Sequence, residues 1–471
     1  MKNKVLSVCL GLLSVLIFLG PLLWPWKTQS LQANSEDQEA SQDPLSSIQT
    51  VSPSDVLEGL PKVDKAQAAY IVDGNNGQIL FTHEENQAVE AASLSQLMLL
   101  YLVYQAIDNK DLALDQEVWI SDQVYDLSQD YNIANVPLRQ DLPYQLSELI
   151  EAVSMIGANG ASLALAEELA GTEREAIQLM QDQLKEWGIE ETYFLNVTGL
   201  TDQYKSDQAN SNNEGLTHEM TAETVATIAY HLVSEYPQVI KASQIYQKLF
   251  RQGTSDAFEM NNPNLLIENS DSLYAKDLVD GLAATDSPND GYQLVATAQK
   301  DQLRIIVVIL GAKDEEALYS TGAELVDFAF SAYQSEPVIK KGSEASQVDA
   351  VKVQDGQVDS LPLIYQRDLE LVVPIIDTAP RLSYTFHPVD QLVAGCIKAP
   401  VQKGFQAGYL QVDIADYQLP VLPSGKGNRV PVVVAEEIEE ASGFDKFWRG
   451  VQNGWNQGWT SVRQFFTELF N

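Results

Sequence analysis

Few side chains in this sequence are spaced for chemistry. The four histidines, His83, His218, His231 and His387, and the two cysteines, Cys9 and Cys396, occur without an H-x-x-x-H or C-x-x-C context. No metal site or disulfide framework is therefore expected, and no cofactor. No Asp/Glu or Cys–His pair stands at a spacing that marks a catalytic pair. A hydroxyl and an amide, Ser93 and Gln96, lie three residues apart where a long apolar helix candidate begins, so one helical turn separates them on one face. Ser93 in that position reads as an N-terminal helix cap, and Gln96 as a hydrogen-bonded buried amide. An amide is not a usable base at neutral pH. Asn196-Val197-Thr198 fits the glycosylation pattern but reads as fold structure.

The elements that hold these residues follow from patterning. Ala68–Asp73 and Gln78–Phe81 are strand-like runs around Gly74-Asn75-Asn76-Gly77, which supplies hairpin turn chemistry. The helix from about Leu94 to Ile107 is apolar most of the way round and is expected in a core. A second helix is expected from Ser147 through Ile156 towards Ala166, with Gly171 beyond its end, and a third over Ala222–Ser234. A polar loop, Asp202–Asn213, stands between them. Tyr292–Ala298 and Leu303–Leu310 form a hairpin candidate around Lys300-Asp301. Strands flanking a helical cluster imply an α+β fold with a mixed sheet. Past about Ser335 short strands with frequent Gly, Pro and Asp predict a small all-β domain. The 471 residues, 45% hydrophobic, allow two cores. With 29 basic against 66 acidic residues the net charge is −37, which opposes contact with nucleic acid.

Three segments, Ala92-Ser93-Leu94-Ser95-Gln96-Leu97-Met98, Gly157-Ala158-Asn159-Gly160 and Val279-Asp280-Gly281-Leu282-Ala283-Ala284-Thr285, fall in a recognisable order and spacing. Together they resemble the active-site elements S-x-x-K, S-x-N and K-T-G of the serine D-alanyl-D-alanine carboxypeptidases, the low-molecular-mass penicillin-binding proteins. Phe194–Leu200, Asn262–Leu266, Gly291–Ala298 and Ala399–Gly404 are similar to further family segments. The resemblance implies a penicillin-binding, β-lactamase-like domain followed by a small all-β domain and a C-terminal amphipathic helix.

It also implies a role for each position. Ser93 matches the nucleophile, but Gln96 stands where the family has the lysine that takes or shares its proton. Gly157 replaces the serine that passes a proton towards the leaving group, while Asn159 matches the substrate-orienting asparagine. Ala283, Ala284 and Thr285 replace K-T-G, the cation and hydroxyl that hold the substrate's terminal carboxylate. Lys276, seven positions before Ala283, cannot be shifted into register. Groups that act as a unit fail together, so loss of carboxypeptidase activity is expected.

The ends complete the organisation. Lys2 and Lys4 precede an apolar run, Val5 to Trp24, which predicts export, with 1–33 either a signal peptide or a membrane anchor. Residues 34–60 read as an acidic tether, 61–335 as the carboxypeptidase-like domain, 336–440 as the β-rich domain and 441–471 as an amphipathic helix. In that helix Phe444, Phe447, Trp448, Val451, Trp455, Trp459, Val462, Phe466 and Leu469 recur at steps of three or four. Such an aromatic stripe suits a lipid interface; docking on the β domain is the other reading. The expected function is that of an inactive carboxypeptidase-like wall protein at the outer face of the membrane, binding a peptidoglycan stem peptide or a wall-synthesis partner. The alternative is an active carboxypeptidase that trims stem peptides.

Overall fold

The turn at Gly74–Gly77 does join two paired strands: β1, Ala68–Asp73, and β2, Ile79–His83, are antiparallel. The computed structural model describes residues 59–90, 92–200, 218–287, 291–375, 380–392, 394–414 and 417–443. The N-terminal apolar run, nearly all of the tether, the Asp202–Asn213 loop and the aromatic stripe from Phe444 onward lie outside these residues.

A 3-10 turn, Ala92–Ser95, leads into helix α1, Gln96–Asp108, which is buried along most of its length. Then come α2, Asp122–Ser128, α3, Leu146–Ile156, α4, Asn159–Ala170, α5, Glu173–Glu186, and α6, Ala222–Glu235. The single helix expected from Ser147 is thus two helices. Gly157 takes φ +65° and ends α3, because a left-handed residue breaks the ladder of carbonyl acceptors. The start also differs: Glu148 Oε2 accepts the Gln145 N–H at 2.9 Å, so the cap lies two residues before Ser147.

A short hairpin, β3, Gln247–Phe250, and β4, Phe258–Asn261, precedes the meander β5, Val279–Ser287, β6, Gly291–Lys300, and β7, Leu303–Leu310. Helix α7, Glu315–Ala332, follows. The main sheet has the order β2-β1-β7-β6-β5 and every neighbouring pair is antiparallel. The α+β class therefore holds, but the sheet is not mixed in strand direction. Its strands come as one hairpin and one three-stranded meander, and no crossover of the kind that parallel strands require joins neighbours.

Both faces of this sheet are covered. Tyr70, Val72, Ile306 and Val308 pack with α1 and α3–α6, whereas Ala69, Ile71, Ile305, Val307 and Ile309 pack with α7. Burial on both faces explains why β1 and β7 read as continuous apolar runs rather than alternating ones.

Residues 333–442 contain strands and no helix among those described. They are β8, Tyr333–Ile339, β9, Leu363–Tyr365, β10, Leu369–Pro374, β11, Leu382–Pro388, β12, Gln406–Ile414, and β13, Arg429–Val434. Strands β8 and β10 pair, and β9-β13-β12-β11 form a four-stranded sheet. Their inward residues, among them Leu371, Val373, Leu410, Val412 and Val432, make a third core.

The β1–β2 turn plugs into this module. Gln78 Oε1 accepts the Val372 N–H at 2.7 Å and its Nε2 donates to Val372 O at 3.3 Å. Asn76 Nδ2 donates to Glu370 O at 2.7 Å, and Tyr333 donates its hydroxyl to Leu80 O at 2.7 Å. Beneath the turn Asp73 Oδ2 accepts the N–H groups of Asn75 and Asn76 at 3.2 and 2.8 Å. Asp73 is fully buried, and burial pushes its carboxyl up to about 7.

Candidate functional site

Ser93 lies in the 3-10 turn, so the first α-helical residue is Gln96 and the cap position falls to Ser95. The cap reading of Ser93 is thereby corrected: its Oγ reaches across to strand β5 and stands 3.3 Å from Thr285 Oγ1. The turn is tightly held. Ala92 takes φ +44°, an unfavourable conformation for an L-residue, costing on the order of 1–3 kcal/mol unless the surroundings impose it. Gly199 is what packs against it. A Cβ at Gly199 would lie 1.8 Å from Ala92 O, so only glycine permits this approach. Gly199 is placed in turn by Asn196, whose Oδ1 accepts from Gly199 N and from Thr198 Oγ1 at 2.6 and 3.0 Å. Asn196 and Thr198 are both buried and act in the fold, as the sequence suggested.

One turn after Ser93, Gln96 is buried and its Nε2 donates towards three acceptors: Thr198 O at 3.1 Å, and Gly157 O and Asn159 Oδ1 at 3.2 Å each. An amide NH₂ carries two hydrogens, so three acceptors exceed what it can satisfy at once. Asn159 opens α4 and its Nδ2 donates to Ala134 O at 3.0 Å, which satisfies a loop carbonyl. Gly157 lies over both residues: a Cβ there would be 3.4 Å from Gln96 Oε1 and 3.7 Å from Ser93 Oγ.

Ala283, Ala284 and Thr285 lie on β5, opposite Val295, Leu294 and Gln293 of β6. Strand β5 is an edge of the main sheet, with no strand on its outer side among the described residues. Lys276 is remote from this cluster in function: its Nζ donates to Asp327 Oδ2 at 2.6 Å.

Between Ser93, Gly157 and β5 opens a cleft of about 390 Å³, so the groove has not closed over with side chains. That volume lies in the range of small-molecule sites. Beneath it a space of only about 20 Å³ is bounded by Gln96, Ala283 and Ser154, whose buried hydroxyl has no hydrogen-bond partner. The far walls come from residues that the sequence did not single out: Asn132 and Asn135 on the loop after α2, and Glu259 and Asn261 on β4. Asn135 Oδ1 accepts the Gly160 N–H at 2.8 Å, fixing this loop to the start of α4. Asparagines in a loop carry no site signal of their own, and β4 is too short for its period to show which residues face a cleft. No group of three or more His, Cys, Asp or Glu able to hold a metal occurs among the described residues.

A serine at the head of a buried helix, facing the edge strand of an antiparallel sheet across an open cleft, is the architecture of the penicillin-recognising serine enzymes. The comparisons agree. A family model described as D-alanyl-D-alanine carboxypeptidase, peptidase S11, matches residues 54–314, and the chain belongs to this family. It is 25% identical over 393 residues to the D-alanyl-D-alanine carboxypeptidase DacF of Bacillus subtilis, covering 83% of this chain and 90% of that protein. Among solved structures it is similar to a peptidoglycan synthesis regulatory factor from Streptococcus pneumoniae, with a TM-score of 0.65, 26% identity, and 80% and 99% of the two chains covered. Penicillin-binding protein 5 from Haemophilus influenzae shares the fold at a TM-score of 0.61 and 20% identity, with 81% and 99% covered. The protein is thus a carboxypeptidase-like, penicillin-binding-protein-like protein of the cell wall.

Proposed function

We propose that this protein is a catalytically silent member of its family that uses the open cleft to bind a peptidoglycan stem peptide at the outer face of the membrane. The observation that carries the reading is the environment of Gln96. Its Nε2 is committed as a donor to Gly157 O, Asn159 Oδ1 and Thr198 O, so the group one turn from Ser93 neither accepts a proton nor supplies a cation. Loss of one general acid–base group typically costs about 10²–10⁴-fold, and Gly157, Ala283, Ala284 and Thr285 remove further parts of the same unit. An open cleft on a preserved scaffold supports retained binding. The N-terminal apolar run and the aromatic stripe, Phe444 to Leu469, support export and attachment to the membrane surface by burial of apolar rings.

The test is incubation of the full-length chain with a fluorescent penicillin, followed by intact-mass spectrometry and peptide mapping. The expected result is no adduct on Ser93. A stoichiometric adduct overturns catalytic silence, because acylation needs an activated serine.

A further inference from the structure

We propose that the cleft selects a peptide that presents an ammonium or carboxamide group and repels one that enters with a free terminal carboxylate. This deepens the binding role proposed above and rests on it.

Among the described residues that line the cleft, Glu259 is charged and no Lys, Arg or His is present. Glu259 is exposed and is braced by neutral donors, Gln247 Nε2 at 2.6 Å and Asn261 Nδ2 at 3.4 Å, so no cation offsets it there. The nearest cations in sequence are engaged elsewhere. Lys248 pairs with Glu151, and Arg251 lies 3.7 Å from Glu148 and over the Tyr144 ring. The whole chain carries −37.

A carboxylate brought into such a site meets like charge without a counter-ion, which disfavours its entry. An ammonium gains from Glu259 and from the surrounding field, which a cleft focuses. A carboxamide carries no charge and offers both donors and acceptors, which match the side chains of Asn132 and Asn261. The edge of β5, beside Ala284 and Thr285, supplies backbone groups that an extended peptide can pair with.

The experiment uses Nα-acetyl-L-lysyl-D-alanyl-D-alanine in four forms: ε-amine free or acetylated, and C-terminus a carboxylate or an amide. Each is titrated calorimetrically into the full-length chain. The form with a free amine and a terminal amide is expected to bind tightest, at least about tenfold above the form with an acetylated amine and a carboxylate. Glu259→Gln should abolish the preference for the free amine. If that variant does not fold, high salt on the unaltered chain should shrink the same preference, since a solvent-facing charge interaction is screened. Equal or tighter binding of the carboxylate forms overturns the inference, as does absence of binding by all four at millimolar concentration. Neither result touches catalytic silence, which the penicillin adduct alone decides.

Discussion

The hydroxyls of Ser93 and Thr285 stand 3.3 Å apart, joining the head of α1 to the edge strand of the main sheet across 192 residues of chain. Neither hydroxyl is a base, so the contact orders the serine without activating it. It also places a buried β-branched side chain in the cleft lining, in contact with the serine.

On the reading proposed above, restoring a cation and clearing this contact should activate Ser93. The three acceptors around Gln96 Nε2 match the three donors of a lysine ammonium. The double variant Gln96→Lys, Thr285→Gly is expected to be acylated by penicillin at least about 10²-fold faster than the unaltered chain, followed by intact mass over time. No acceleration in the folded double variant would show that these two positions do not limit acylation of Ser93.

Removing the Gln96 amide altogether should cost stability. Gln96→Leu leaves Gly157 O, Asn159 Oδ1 and Thr198 O without this donor in a buried site. Buried groups left unpaired cost about 1–3 kcal/mol each, and partial relaxation brings the expected total to about 2–4 kcal/mol. Urea unfolding measures it; a loss below about 1 kcal/mol would mean that the acceptors find other partners.

Two buried groups give opposite pH slopes. Burial raises the Asp73 carboxyl from 3.8 to about 7, so the folded state holds a proton that the unfolded state releases above pH 3.8. This contribution to stability is whole at low pH and is lost as pH rises towards 7. Burial lowers His218 from 6.5 to about 4, so there the unfolded state binds the extra proton. That contribution is present above pH 6.5 and is lost as pH falls towards 4. Asp73→Asn should remove the first slope, up to about 1.4 kcal/mol per pH unit, and leave the second in view. Stability of the unaltered chain minus that of the variant, by urea unfolding from pH 4 to 8, is expected to fall with pH up to about 7 and flatten above it. A flat difference throughout would refute the assignment to Asp73.

Gln78 is the peg between the hairpin and the β module. Gln78→Ala deletes both bonds to Val372 and the contact from Asn76 Nδ2 to Gln78 Oε1. The expected cost is about 1–3 kcal/mol, with faster amide exchange confined first to Leu369–Pro374. Exchange rates in β10 that match those of the unaltered chain would show that Asn76 and Tyr333 hold the junction without it.

Local patterning told much of this fold. The hairpin at Gly74–Gly77, the buried helix after Ser93, the helix over Ala222–Ser234 and the β6–β7 hairpin were legible because each depends on a turn or a period within a dozen residues. The break at Gly157 was not, since apolar residues continue on both sides of it and the left-handed turn depends on Asn159 and the loop at Ala134. Nor was strand direction: runs buried on both faces carry no sign of their neighbours' orientation.

For the site, the residue types at Ser93, Gln96, Gly157, Asn159 and Ala283–Thr285 are written in the sequence, and with them the absence of a base or cation at those positions. Tertiary structure decided what these side chains touch. The register of β5 against β6 and the 3-10 turn set by Gly199 bring Ser93 to Thr285, and the packing of β4 and the Asn132–Asn135 loop brings Glu259 and Asn261 to the far wall. The Ser93–Thr285 contact and the approach of Gly199 to Ala92 join segments more than a hundred residues apart, which local propensity does not encode.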